Sequence, residues 1–146
     1  MATGDRIDPY GSFNFLIEID GITRAFFQEA SGLESAIDAM EYREGGDNST
    51  LRKIPSITKY TNITLKRGVT DDRELFDWHK QWANGSPNAQ RISGSIILLD
   101  RHGQEQVRWN FFQGWPAKWT GPSFNAQATE IAVETLEIAH EGLERV

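Results

Sequence analysis

A chain of 146 residues, 38% hydrophobic and 25% charged, has the length of one domain and enough apolar content for a real core. Its formal net charge of −6 argues against general binding to nucleic acid, whether or not sequence-specific, and against anionic membranes. The absence of cysteine excludes disulfide and thiolate chemistry, and the longest aliphatic run, Ile96 to Leu99, is too short to span a bilayer, so no membrane insertion by the monomer is expected.

Residues 1–11 read as an irregular arm without the apolar stretch of a signal peptide, so synthesis and folding in a cytoplasm are expected. From Ser12, the residues Phe13, Phe15, Ile17 and Ile19 alternate with Asn14, Glu18 and Asp20, which predicts a strand with one buried face. Asp20-Gly21 is a type I′ hairpin signal leading into a second strand over 22–30, which Ser31-Gly32 breaks. Residues 33–42, with Ser35, Ala36 and Ala39 beside Ile37 and Met40, predict a strand that enters a long loop over 43–56. In that loop Gly45, Gly46, Asp47, Asn48, Ser49 and Pro55 are turn formers, and only Leu51 and Ile54 are apolar. A strand over 57–67 follows as the antiparallel partner of 33–42. Ile57, Ile63 and Leu65 share one of its faces; Thr58, Tyr60, Asn62, Thr64 and Lys66 share the other. A loop of about 14 residues is uncommon inside a compact domain and is usually functional or disordered. Between Asp47 and Asp71 the charged residues are all basic: Arg52, Lys53, Lys59, Lys66 and Arg67. The loop has little with which to pack on its own domain, so it is expected to reach another subunit.

Asp71 with Glu74 forms a capping box, with Thr70 as an alternative cap. The helix it opens carries Leu75, Trp78, His79 and Trp82 on one stripe, and Asn84-Gly85 with Pro87 ends it. Strands over 91–99 and 105–112 pair around Asp100-Arg101-His102-Gly103, residues 113–126 form a second structured loop, and 129–139 is the last strand before a tail at His140 to Leu143. These are about seven strands and one helix, with no repeat or linker. The expectation is a single domain over 1–146: mainly β, an antiparallel barrel or sandwich with one flanking α-helix.

Little in the chain calls for catalysis, a cofactor or a metal. His79, His102 and His140 lack metal-ligand neighbours at useful spacing, and His79 on the apolar helix stripe reads as a satisfied core residue. There is no Gly-x-Ser-x-Gly elbow, P-loop or Gly-x-Gly-x-x-Gly. Carboxylate pairs such as Asp71/Asp72 or Glu130/Glu134, which a small hydrolase would need, read as solvated charge. Trp109, Trp115 and Trp119, with Phe111 and Phe112, crowd one strand and its loop. An alternative function follows from them: a carbohydrate-binding β-module using Trp115 and Trp119 as exposed platforms. The plainer reading is a packed corner, with each indole N–H on a nearby carbonyl, stiffened by Pro116, Gly121 and Pro122.

Several blocks, in order, carry a resemblance. They are Phe13-x-Phe15-x-Ile17-x-Ile19-Asp20-Gly21, Phe27-x-Glu29-Ala30-Ser31-Gly32-Leu33, Glu41-Tyr42-Arg43-Glu44-Gly45-Gly46, Arg52-Lys53-Ile54-Pro55, the run from Tyr60 to Gly68, the run from Gly114 to Trp119, and the run from Ile138 to Leu143. Together they resemble the tail-tube proteins of contractile phage tails and phage-tail-like contractile injection systems, similar to the haemolysin-coregulated protein of type VI secretion. Ser56 departs from the glycine usual after the Lys-x-Pro motif.

The resemblance implies a structural, non-enzymatic protein that closes into hexameric rings. These rings stack into a hollow tube for DNA or protein cargo inside a contractile sheath. Implied partners are the sheath, the baseplate and tape-measure or cargo proteins, with assembly in the bacterial cytoplasm before incorporation into a virion tail or injection particle. On this reading Arg43, Gly45, Gly46, Arg52, Lys53 and Pro55 are expected to stack one ring on the next. Their acidic counterpart is expected to be the last strand and tail, with Glu137 and Glu141 beside Glu130, Glu134 and Glu144. Thr58, Tyr60, Asn62 and Thr64 are expected to face the lumen, where a polar and mostly neutral wall would not hold cargo.

Overall fold

The computed structural model describes residues 9–11, 14–20, 23–25, 27–43, 45–46, 50–127 and 129–146. Gly21 of the Asp20-Gly21 turn and the Phe13 position of the first strand lie outside them. Among the described residues the elements are β1 (Phe15–Ile19), β2 (Thr23–Ala25), β3 (Glu29–Ser31), β4 (Ser35–Tyr42), β5 (Arg52–Tyr60), β6 (Ile63–Gly68), α1 (Glu74–Ala83), β7 (Ile92–Leu99), β8 (Glu105–Thr120), β9 (Val133–Ala139) and β10 (Gly142–Arg145). The main sheet has 8 strands in the order β2-β1-β7-β8-β9-β6-β3, with β10 on β8; β4 and β5 form a separate 2-stranded sheet. Every pairing is antiparallel, as expected.

The core lies inside the curve of the main sheet. Ile17, Ile19, Ile63, Leu65, Ile96, Phe111, Leu136 and Ile138 come together there, and Leu75 and Trp78 of α1 pack onto them. The alternation read for β6 is observed: Ile63 and Leu65 are fully buried and Thr64 and Lys66 only partly. The helix stripe is also observed, and His79 donates from Nδ1 to the Pro116 carbonyl at 3.0 Å, tying α1 to β8. The helix start differs in detail. The carboxylate that accepts the Glu74 N–H, at 3.0 Å, is that of Asp72 and not Asp71.

Several boundaries need correction. β8 runs through 113–120, which the sequence presented as loop; it pairs with β7 and β10 first and with β9 afterwards. Gln113, at φ 56, turns the strand between these partners, and register shifts on both sides absorb Pro116 and its neighbours. The long last strand is instead β9, and the expected tail pairs with β8 as β10. The expected strand over 22–30 is divided into β2 and β3.

The largest correction concerns the assembly segment. Residues 52–56, expected in the loop, are strand, so the connection shrinks to 43–51. Cross-strand hydrogen bonding in β4–β5 accommodates Pro55 opposite Ala39, next to a bulge between Ile37 and Ala39. The expected strand over 57–67 is interrupted at Thr61-Asn62, where the chain passes from the hairpin into the main sheet. Ile57 is therefore not a core residue; it is 66% exposed. The other connection, 32–34, requires glycine at its start: Gly32 has φ +91, and a Cβ there would collide with the Asn62 carbonyl oxygen.

Candidate assembly interface

The β4–β5 hairpin has both faces open. Cross-strand neighbours place Ile37 with Thr58, Ala39 with Pro55, and Glu41 with Lys53 on one side, while Ala36 with Lys59, Met40 with Ile54, and Tyr42 with Arg52 occupy the other, the extra residue of the bulge lying in β5. Ile37 is 62% exposed, and Met40, Tyr42, Ile54 and Ile57 are exposed as well. A strand pair needs at least one apolar face covered to be stable, and monomeric proteins rarely display such a patch without a partner for it. Lys59 Nζ lies 2.8 Å from Asp38, whose carboxylate, first by hydrogen bond and then by charge, holds the lysine above its ordinary range.

The expected stacking residues fall into two groups. Arg43, Gly45 and Gly46 are at the hairpin tip, with Arg52, Lys53 and Pro55 exposed along β5. Glu137 is on β9, 3.8 Å from Lys118, and Glu141 is at the turn before β10, 3.5 Å from Arg91. Glu130 and Glu144 are exposed. Glu134 does not belong to this acidic surface. It is buried, accepts Arg67 Nε at 2.7 Å and accepts the Trp119 indole N–H at 3.2 Å.

The expected lumen residues do not share one strand. Thr58 and Tyr60 are on β5, Asn62 is in the connection, and Thr64 is on β6. The exposed apolar residues of the hairpin were missed at this site, because Ile37, Met40 and Ile57 resemble core residues when read alone. The available signal was that apolar residues occur on both parities of 52–60, so no face is reserved for a core.

The tryptophans are engaged within the subunit. Trp115 packs on Trp82 at 5.5 Å, with the Arg91 guanidinium 5.9 Å from its ring, and Trp119 meets Phe76 edge-on at 4.9 Å. The partner of the Trp119 N–H is the Glu134 carboxylate and not the expected carbonyl. Asp20, Glu74 and Asp77 line an open depression of about 380 Å³ beside α1, together with Trp78, Gln81 and Ile92. No cluster of three or more potential metal ligands occurs among the described residues.

The family model for the T4-like virus tail tube protein gp19 matches residues 11–144. The chain belongs to this tail-tube family. A search of curated proteins returns no match. Among solved structures, the tail-tube subunit is similar to a chain of the PVC extracellular contractile injection system sheath–tube complex in the extended state, with a TM-score of 0.82 and 29% identity over 94% of this chain and 91% of that one. A chain of the anti-feeding prophage baseplate, 6-fold symmetrised, shares the fold with a TM-score of 0.85 and 20% identity over 97% of each chain. Hcp1 from Flavobacterium johnsoniae shares it more loosely, with a TM-score of 0.55 and 17% identity over 90% of this chain and 93% of that one. The protein is thus a structural subunit of the inner tube of a contractile tail or injection system, and the carbohydrate-binding alternative has no support.

Proposed function

We propose that six copies close into a ring and that rings stack through the β4–β5 hairpin into a tube without enzymatic activity. The sheath drives this tube through a target envelope while the lumen passes DNA or protein cargo. The observation that carries the stacking role is the hairpin's exposed apolar surface on a strand pair outside the main sheet. Covering one such side chain fully is worth about 1.5–3 kcal/mol, so several together hold a ring contact. Head-to-tail contacts that close make a ring, and unlike top and bottom surfaces propagate a filament. Arg43, Gly45, Gly46, Arg52, Lys53 and Pro55 supply the contact on one ring. Glu137 and Glu141, with Glu130 and Glu144, supply the opposing charge on the next, steering the approach and fixing register. Thr58, Tyr60, Asn62 and Thr64 line the lumen. Assembly takes place in the bacterial cytoplasm, with the sheath, baseplate and tape-measure or cargo proteins as partners.

Negative-stain microscopy of the purified subunit tests this reading. Rings and stacked tubes are expected from the native chain. A folded but unstacked subunit is expected after deletion of residues 46–51. A native chain that stays monomeric at every concentration, or a deletion variant that still forms long tubes, overturns the proposal.

A further inference from the structure

The run from Ile138 to Leu143 has no task in the stacking contact beyond Glu141. Its His140 is buried beneath the hairpin's attachment to the main sheet. Both ring nitrogens face backbone carbonyls: Nδ1 is 2.9 Å from Gly142 O, and Nε2 is 3.0 Å from Thr61 O. A carbonyl oxygen only accepts, and a neutral imidazole has a single N–H. A neutral ring would set a lone pair against one of these oxygens. The imidazolium donates to both, and charge-assisted bonds are roughly twice as strong as neutral ones.

The place of this contact gives it a consequence. Thr61 is where the chain leaves β5 for the main sheet, and its N–H donates to Glu34 O of the other connection at 3.4 Å. His140 also packs on Tyr60 of β5, with centroids 5.6 Å apart, and on Phe111 of β8 at 6.1 Å. One ring thus touches the hairpin root, the central strand of the main sheet and the C-terminal turn.

We propose that His140, carrying both ring protons, is a positioning residue that sets the β4–β5 hairpin for stacking and makes tube assembly sensitive to pH. This rests on the stacking role given to the hairpin above. Among the described residues the ring and hydrogen-bond contacts of His140 are with Tyr60 from β5, the Thr61 carbonyl, Phe111 from β8 and the Gly142 carbonyl of β10; of these four, Tyr60 is the titratable one. The neighbouring Glu141 is paired with Arg91 at 3.5 Å.

Two measurements on the full chain test the proposal. Nitrogen-15 NMR of the dissociated subunit, scanned over about pH 5 to 8 where histidine changes charge, should show both His140 nitrogens protonated at the lower end and one proton lost on the way up. A ring that is neutral throughout overturns the proposal. His140→Phe keeps an aromatic ring against Tyr60 and Phe111 without the donors. It should raise the concentration needed for stacking about tenfold or more, the size expected for losing hydrogen bonds from a charged donor, and should remove the pH dependence between those limits. His140→Phe tubes that match the native ones in concentration and pH profile overturn it as well; if this variant does not fold, the nitrogen signals of the native subunit decide. A native chain that never stacks overturns the stacking role itself, an outcome separable from the state of the ring.

Discussion

Arg67 on β6 and Glu134 on β9 are direct cross-strand partners whose side chains meet at 2.7 Å while only 9% and 8% exposed. The remaining donors of Arg67 reach Asp72 just before α1, at 3.3 Å to its carboxylate, and the second oxygen of Glu134 takes the Trp119 N–H. One ion pair therefore binds two neighbouring interior strands, the helix entry and the far half of β8. Removing one member leaves a buried charge alone. Arg67→Ala is expected to destabilise the subunit by about 3–5 kcal/mol in urea unfolding, and Arg67→Met with Glu134→Met together by less than the sum of the single changes.

The hairpin surface predicts the opposite behaviour. Ile57 is 66% exposed, so Ile57→Glu should leave subunit stability within about ±0.5 kcal/mol of native. The same change puts a charge where a neighbouring ring should cover an apolar side chain. Sedimentation should show native-like subunits that no longer form tubes.

Asn62 tests the lumen assignment. Asn62→Cys subunits should react quickly with a bulky maleimide when free. In assembled tubes, with a reagent wider than the bore, reaction should be slow except near the ends. Rapid labelling along the whole tube would place this residue outside.

Asp100 gives an acid dependence with a defined sign. Its carboxylate accepts the backbone N–H groups of His102 at 2.8 Å and Gln104 at 2.9 Å, and the Gln106 amide at 3.0 Å. The Gln104 N–H, first among these, holds the carboxyl below its ordinary value. A carboxyl depressed in the folded state stabilises the turn above its unfolded value and loses that contribution as pH falls through the folded one. Carbon NMR of the Asp100 carboxyl should show the depressed titration, and Asp100→Asn should flatten the acid-side loss of order in the β7–β8 turn.

The parts legible in the sequence were those in which one period dominates. Ile63 and Leu65 alternate cleanly with polar neighbours, and Leu75, Trp78 and Trp82 fall on one helical stripe; each is observed as read. What was hidden depends on contacts distant in the chain. Gly114 and Pro116 looked like turn residues, yet Gly114 lies where a Cβ would come within 2.8 Å of the Phe111 ring, so its smallness is a packing requirement inside a strand. Glu134 looked like one of a row of solvated acids because its partner Arg67 is 67 residues away. The hairpin was half legible: its lack of attachment to its own core could be read, but its strand pairing was obscured by Pro55 and by apolar residues on both faces.

Among the described residues the hairpin's strands form ladders with each other and not with the main sheet, and the chain enters and leaves it through neighbouring connections at 32–34 and 61–62. It is in effect a cassette. On the proposed stacking role, changes within it are judged by fit to another ring, and changes in the main sheet by the subunit's own folding. Compatibility between tubes can then diverge quickly while the core is preserved, and exchanging residues 35–60 between two tail-tube subunits should transfer the choice of neighbour without rebuilding the main sheet.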